Sequence, residues 1–264
     1  MRLSPLATWV LRIFASLVIM LLLAPLVTIV LFAFDKSNVQ TFPIHHWSTQ
    51  WFSVAFRDPA VRSALWLSVK AGLAATAIAL ILGLLVSFGI HRFAFFGREA
   101  VSLLLVLPLA LPGIVTGLAL QSAFTLVNMQ FSLTTIIIGH ATFCIVVVFN
   151  NVIARLRRTS DSFLEASADM GATPTQTFRL VTLPLLGTAL LAGALLAFAL
   201  SFDEVIVTTF TAGAQNTLPL WIFGAIRLGQ QLPEVNAVVV GVMVLTIIPI
   251  AIAARIASAD GQRR

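Results

Sequence analysis

The sequence predicts an all-α, polytopic membrane protein that crosses the bilayer six times with both termini in the cytoplasm. Three observations predict it. The first is composition: 59% of the 264 residues are hydrophobic, only 10% are charged, and mean hydropathy is +1.02. A soluble domain carries nearer a quarter charged residues. So little polar surface cannot coat a globule in water, which argues against a soluble enzyme, a nucleic-acid binder and a disordered chain. The second is length: a hydrocarbon core about 30 Å thick takes about 20 apolar residues of helix. Six runs of that order occur: Ile13–Phe34, Leu65–Ile90, Ala100–Leu126, Leu133–Ile153, Leu185–Ser201 and Val235–Ile256. The third is charge. With loops assigned alternately, one side holds eleven Lys and Arg residues, among them Arg2, Arg92, Arg155, Arg157, Arg158 and Arg264, and the other holds five. Basic loops stay cytoplasmic.

The first run, residues 13–34, follows Arg2 and Arg12 as a signal peptide would. It is too long for a signal h-region and lacks a small-residue cleavage site, so it reads as a retained helix. Trp9 and Trp66 fall beside span ends, where an amphipathic ring suits the interface. Trp47 and Trp51, four apart in the first external loop, are expected on one face of a short interfacial helix. The third run contains Pro108 and Pro112. Proline removes an intrahelical bond and kinks a helix. In a membrane this is tolerated where protein or a water path satisfies the freed groups. Packing by Gly113 and Gly117 is the plainer alternative. Cys144 is the single cysteine, which excludes an internal disulfide and a cysteine metal cluster. No Ser-His-Asp or H-E-x-x-H pattern is present. His140, inside the fourth run without a nearby acid, reads as structural, and Arg155, Arg157 and Arg158 read as an orientation signal.

Two long connections remain, and loops of this length usually have a function. In the cytoplasmic one, residues 154–183, Ser162 and Glu165 have capping-box spacing. Gly171 can stop that helix, and Thr173-Pro174 can start another as N-cap and first helical residue. Phe163, Leu164 and Met170 are apolar knobs on short helices that cannot be stable alone in water. In the external one, Asp203 and Glu204 stand where the fifth run opens outward. Adjacent acids at a membrane mouth tend to mark a solute or ion path, the alternative being an interfacial end-cap or a pair with Arg227.

Glu165-Ala166-Ser167, Gly171 and Val181-x-Leu183-Pro184 resemble the E-A-A-x3-G-x9-I-x-L-P loop of ABC importer permeases, with Ser167 for the second alanine and Val181 for isoleucine. The resemblance implies one permease domain over residues 1–264 with its core at 65–256. It also implies that Glu165, Ala166, Ser167, Gly171, Ala172, Thr173 and Pro174 dock on an ATP-hydrolysing subunit. Ser201-Phe202-Asp203-Glu204, Thr217-Leu218-Pro219 and Pro233-Glu234-x-Asn236-Ala237 look most like the C-type permease of spermidine/putrescine importers. That likeness implies a polyamine or similar organic cation as solute, with Asp203, Glu204 and Trp221 on its path and Pro108 and Pro112 on path-lining helices. Relatives of the same type carry iron, opines or amino acids, phosphonates or thiamine.

No G-x4-G-K-S/T phosphate loop is present. The chain is therefore expected to be a non-catalytic subunit of a bacterial inner membrane, with no cofactor of its own. ATP and Mg2+ belong on a partner ATPase. A second permease chain (a relative or a copy), an extracytoplasmic binding protein and membrane lipid complete the expected partners, with no nucleic acid. A secondary transporter is the rival class. It would show internal repeats and mid-membrane charges, and neither is evident.

Overall fold

The computed structural model describes residues 4–160 and 162–261. The terminal Arg2, Arg263 and Arg264, which contribute to the predicted orientation, lie outside them. The described residues are helical apart from their connections, with one isolated antiparallel bridge, Asp35 to Trp47. The chain divides into two compact units, residues 1–62 with 222–264, and residues 63–221.

The first unit contains α1 (Pro5–Ala33), α2 (Gln50–Arg57) and α12 (Leu232–Gly261), with α12 packed on both others. Ser4 caps α1 by accepting from the Ala7 N–H, and Pro5 follows at the first helical position, where its missing N–H costs nothing. α1 exposes apolar side chains along its length, as suits a helix whose solvent is lipid. The Trp47–Trp51 expectation is corrected. α2 begins only at Gln50, so the two rings share no helix. Trp47 sits in the bridge and stays exposed, while the Trp51 indole donates to the Asp35 carbonyl at 2.9 Å. The cause is the turn at Asp35, whose carboxylate accepts from the Ser37 N–H and folds the segment before α2 into a loop.

The second unit is built around α6 (Leu133–Leu156), much of whose length is buried. Helix α3 (Pro59–Arg92) enters this unit at Ser63. Small residues let its neighbours approach. A Cβ added at Gly83 of α3 would fall 2.8 Å from Val148, and one at Gly193 of α9 (Leu183–Asp203) 3.3 Å from the Val148 backbone. Without a hydrophobic drive between helices in lipid, such close packing supplies much of the association. Phe143, Cys144, Val148, Val152, Leu186 and Ala197 form the resulting core.

The third predicted span is not one kinked helix. α4 (Arg98–Ala110) and α5 (Gly113–Leu126) meet at 104°. Pro108 lies inside α4, and the break falls at Leu111 and Pro112, both extended. Clash with the proline ring drives the preceding residue out of the helical region. Four helical stretches are each long and apolar enough to cross a membrane: 6–33, α3, α6 and 174–203. The bent pair makes a fifth if it counts as one broken span, and the described stretch Leu232–Thr246 is shorter.

Candidate functional site

The connection over residues 154–183 folds as helix, glycine turn and helix. α7 (Ser162–Asp169) ends in paired bonds, Gly171 N–H to the Ala168 carbonyl and Ala172 N–H to that of Ser167, with Gly171 at φ +79°. This closure satisfies the last carbonyls and requires a left-handed residue at the glycine. Thr173 then caps α8 (Pro174–Thr177) reciprocally: its hydroxyl accepts from Gln176 N–H while its own N–H donates to Gln176 Oε1 at 2.8 Å. The expected box between Ser162 and Glu165 is absent. Ser162 already lies within α7, and its hydroxyl pairs with that of Ser160 at 2.8 Å. Ser167, the departure from the alanine pattern, is buried and bonds the Thr177 hydroxyl at 2.9 Å, pinning α7 to α8.

The α8 helix continues through a π-helical stretch, Phe178–Thr182, into α9. Pro184 has no N–H to continue an α ladder, and the wider turn ahead of it accommodates the loss. The Phe178 ring meets Phe88 edge-on at 5.4 Å, and Arg155 Nε donates to the Leu185 carbonyl at 3.1 Å, so α3 and α6 both hold the base of this segment. Glu165, Ala166, Thr173 and Pro174 stay exposed, as do Phe163 and Met170. A charged, apolar-tipped surface is thus presented on a stiff support.

At the other end of α9, Asp203 is the last helical residue and Glu204 leaves it extended. A short helix, α10 (Ile206–Thr211), follows. The two acids differ. Glu204 is half-buried, and its Oε1 accepts from the Val207 N–H at 2.8 Å, so it caps α10. Asp203 is exposed, and its carboxylate takes no hydrogen bond or ion pair among residues 63–221, the unit that holds it. Glu204 is thus held at the start of α10, and Asp203 is the acid without a partner inside that unit. Trp221, in α11 (Leu218–Leu228), is half-buried. Leu218 is tied to α3 by the Ser68 hydroxyl at 2.8 Å.

Sequence reasoning missed the polar cluster behind the acids. His140 of α6 is 1% exposed, with Nδ1 2.7 Å from the Ser201 hydroxyl and Nε2 2.8 Å from that of Thr208. The available signal was the histidine itself. A polar ring inside an apolar span needs partners, and hydroxyls on neighbouring helices can supply them.

Residues 79–259 match the family described as binding-protein-dependent transport system inner membrane component. This chain belongs to that family. As a permease of this type it is similar to the putrescine transport system permease protein PotI of Escherichia coli K12, at 35% identity over 82% of this chain and 79% of that one. It is also similar to the spermidine/putrescine transport system permease protein PotC of Haemophilus influenzae, at 32% over 76% and 78%. Among solved structures, the permease fold is shared with a bacterial ABC transporter involved in import of the acidic polysaccharide alginate (TM-score 0.66, 17% identity, 98% of both chains). It is shared too with the MetNI methionine ABC transporter in an inward-facing form (TM-score 0.62, 19% identity, 76% of this chain and 95% of that one). The permease is thus a multi-pass inner-membrane transport subunit, in a family whose members translocate rather than catalyse.

Proposed function

We propose that this permease is one membrane half of an ATP-driven importer that carries a polyamine, with putrescine the best-supported solute. The observation that carries the solute is the 35% identity to a putrescine permease, which extends over most of both chains. The chemistry agrees: an unengaged carboxylate at Asp203 stands at the end of a spanning helix, where a diammonium solute would find its counter-charge. Six apolar runs underlie the reading of six crossings, and the charge asymmetry of the loops supports cytoplasmic termini with an external mouth near Asp203.

In this reading the 162–177 segment docks in a groove of an ATPase subunit. Glu165, Ala166, Gly171, Ala172, Thr173 and Pro174 lie at or near the contact, and Ser167 holds the two short helices together behind it. ATP and Mg2+ bind on that partner. Closure of the ATPase pair pulls the docked segments together and rocks this chain against a second permease chain, which alternates access. An extracytoplasmic binding protein delivers the solute. Asp203, with the adjacent Glu204 and with Trp221 of α11, lies on the path, and the Pro112 break shapes a path-lining element.

The test is uptake of radiolabelled putrescine by cells that lack their own polyamine importers and express the full transporter. Saturable, ATP-dependent uptake that competes with spermidine supports the reading. Uptake of iron, an amino acid or a phosphonate in place of putrescine overturns the solute assignment. Normal uptake without any ATPase subunit overturns the coupling.

A further inference from the structure

The break between α9 and α10 is two residues, Glu204 and Val205, with Asp203 the last helical residue before it, so the two acids stand at a joint that two residues of backbone alone would hold loosely. Ser201 lies on one side of the break and Thr208 on the other, and His140 of α6 touches both, at 2.7 and 2.8 Å. All three are at most 3% exposed.

Counting protons fixes the direction of each bond. The Thr208 hydroxyl donates its single hydrogen to the Glu204 carbonyl at 2.6 Å. It can therefore only accept from His140, so Nε2 carries the ring proton. In the neutral ring Nδ1 is then the acceptor, and the Ser201 hydroxyl donates to it. The chain Ser201, His140, Thr208, Glu204 carbonyl is closed, with every donor matched to an acceptor, and it ends on the backbone of one of the acids. α6 reinforces it on both sides. The Cys144 thiol donates to the Ala197 carbonyl at 3.3 Å, and the Thr135 hydroxyl reaches the Thr211 carbonyl at 2.7 Å. Gly139 lets α10 lie close: an added Cβ would stand 3.3 Å from both Thr211 and Val207.

We infer that His140 is a positioning residue for the solute path: by bridging Ser201 and Thr208 it sets where Asp203 and Glu204 stand. A buried histidine serving only as packing would need neither bond to span the break. The inference rests on the proposed role of the acids in transport, and its test separates the two.

The full-length chain, carrying Cys144→Ser and Asp203→Cys, is labelled with a maleimide in permeabilised cells, and membrane level is measured alongside. His140→Ala should change the labelling rate at position 203 by roughly thirtyfold, the effect of losing both hydrogen bonds. A control cysteine at Thr173 should keep its rate. Because His140→Ala also opens a void, the conservative pair carries the decision. Asn places an acceptor near Nδ1 and Gln a donor near Nε2, so each keeps one of the two bonds and should give an intermediate rate. Ser201→Ala should alter the rate in the parent and add nothing to His140→Gln. Additive effects, or an unchanged rate in His140→Ala at normal membrane level, overturn the positioning role. Putrescine uptake is then measured for His140→Gln with Asp203 intact. Reduced uptake per chain with basal ATPase activity retained supports both readings. A shifted labelling rate with unchanged uptake leaves the positioning in place and removes the acids from transport.

Discussion

Gly171 offers a clean test of the proposed docking segment, because its constraint is conformational and not steric. Its φ is +79°, and a Cβ built there meets nothing within 4 Å. The penalty for adding a Cβ must then come from the backbone. For an ordinary L-residue the left-handed region costs roughly 1–2 kcal/mol, and more when β-branched. Asparagine visits it readily. If valine instead pulls the turn out of the left-handed region, the two closing bonds from Gly171 and Ala172 are lost, at about 1 kcal/mol each. Either way Gly171→Val should depopulate the docking conformation by about 2 kcal/mol, close to thirtyfold at about 1.4 kcal/mol per tenfold. Gly171→Asn should change it little. The assay is ATPase activity and putrescine uptake of the assembled transporter in proteoliposomes, normalised to permease content. Valine should lower uptake and the stimulation of ATPase by binding protein, with membrane insertion unchanged, and asparagine should track the parent. Equal behaviour of the two variants would refute the left-handed constraint as the source of coupling.

Gly83→Ala should destabilise the second unit by about 1–3 kcal/mol, the usual effect of overpacking, since its Cβ would stand 2.8 Å from Val148 and 3.2 Å from the Ile145 carbonyl; thermal unfolding in detergent measures it. A cysteine at Thr173 in a Cys144→Ser background should react with an impermeant reagent only from the cytoplasmic side, and labelling from outside would overturn the orientation. Asp203→Asn should leave membrane level unchanged, since the side chain has no described partner. It should slow putrescine uptake by an amount near 1–2 kcal/mol, what remains of the roughly 4 kcal/mol attraction at 4 Å and an effective dielectric of 20 after desolvation. Undiminished uptake would remove Asp203 from the path.

Much of this was legible in the residues. Gly171 and Thr173-Pro174 marked helix ends because only a few residue types satisfy orphan backbone groups there, and both ends form as read. Apolar length located the long helices because lipid tolerates no unpaired backbone. Other features depend on distance in space. Ser162 and Glu165 had the right spacing, but Ser160 competes for the hydroxyl. The prolines of the third run announced a disturbance without its size, and 104° depends on what packs around Leu111. His140 looked inert because its partners lie 61 and 68 residues away, and spacing within one span cannot show them.

The uninterrupted helical path from Pro174 to Asp203 has a mechanical consequence. Thirty residues of helix measure about 45 Å, enough to join the proposed ATPase-docking segment to the proposed solute-path acids in one piece. A tilt of about 5° at its base would carry the far end roughly 4 Å at that length, more than the length of a hydrogen bond. The π turn sits near the base, braced by Phe88, with Thr182 reaching back to the Thr177 carbonyl. In the proposed reading, motion delivered below that brace is conveyed upward as rotation of a rod, and the first break it meets is the one beside Glu204, which His140 spans.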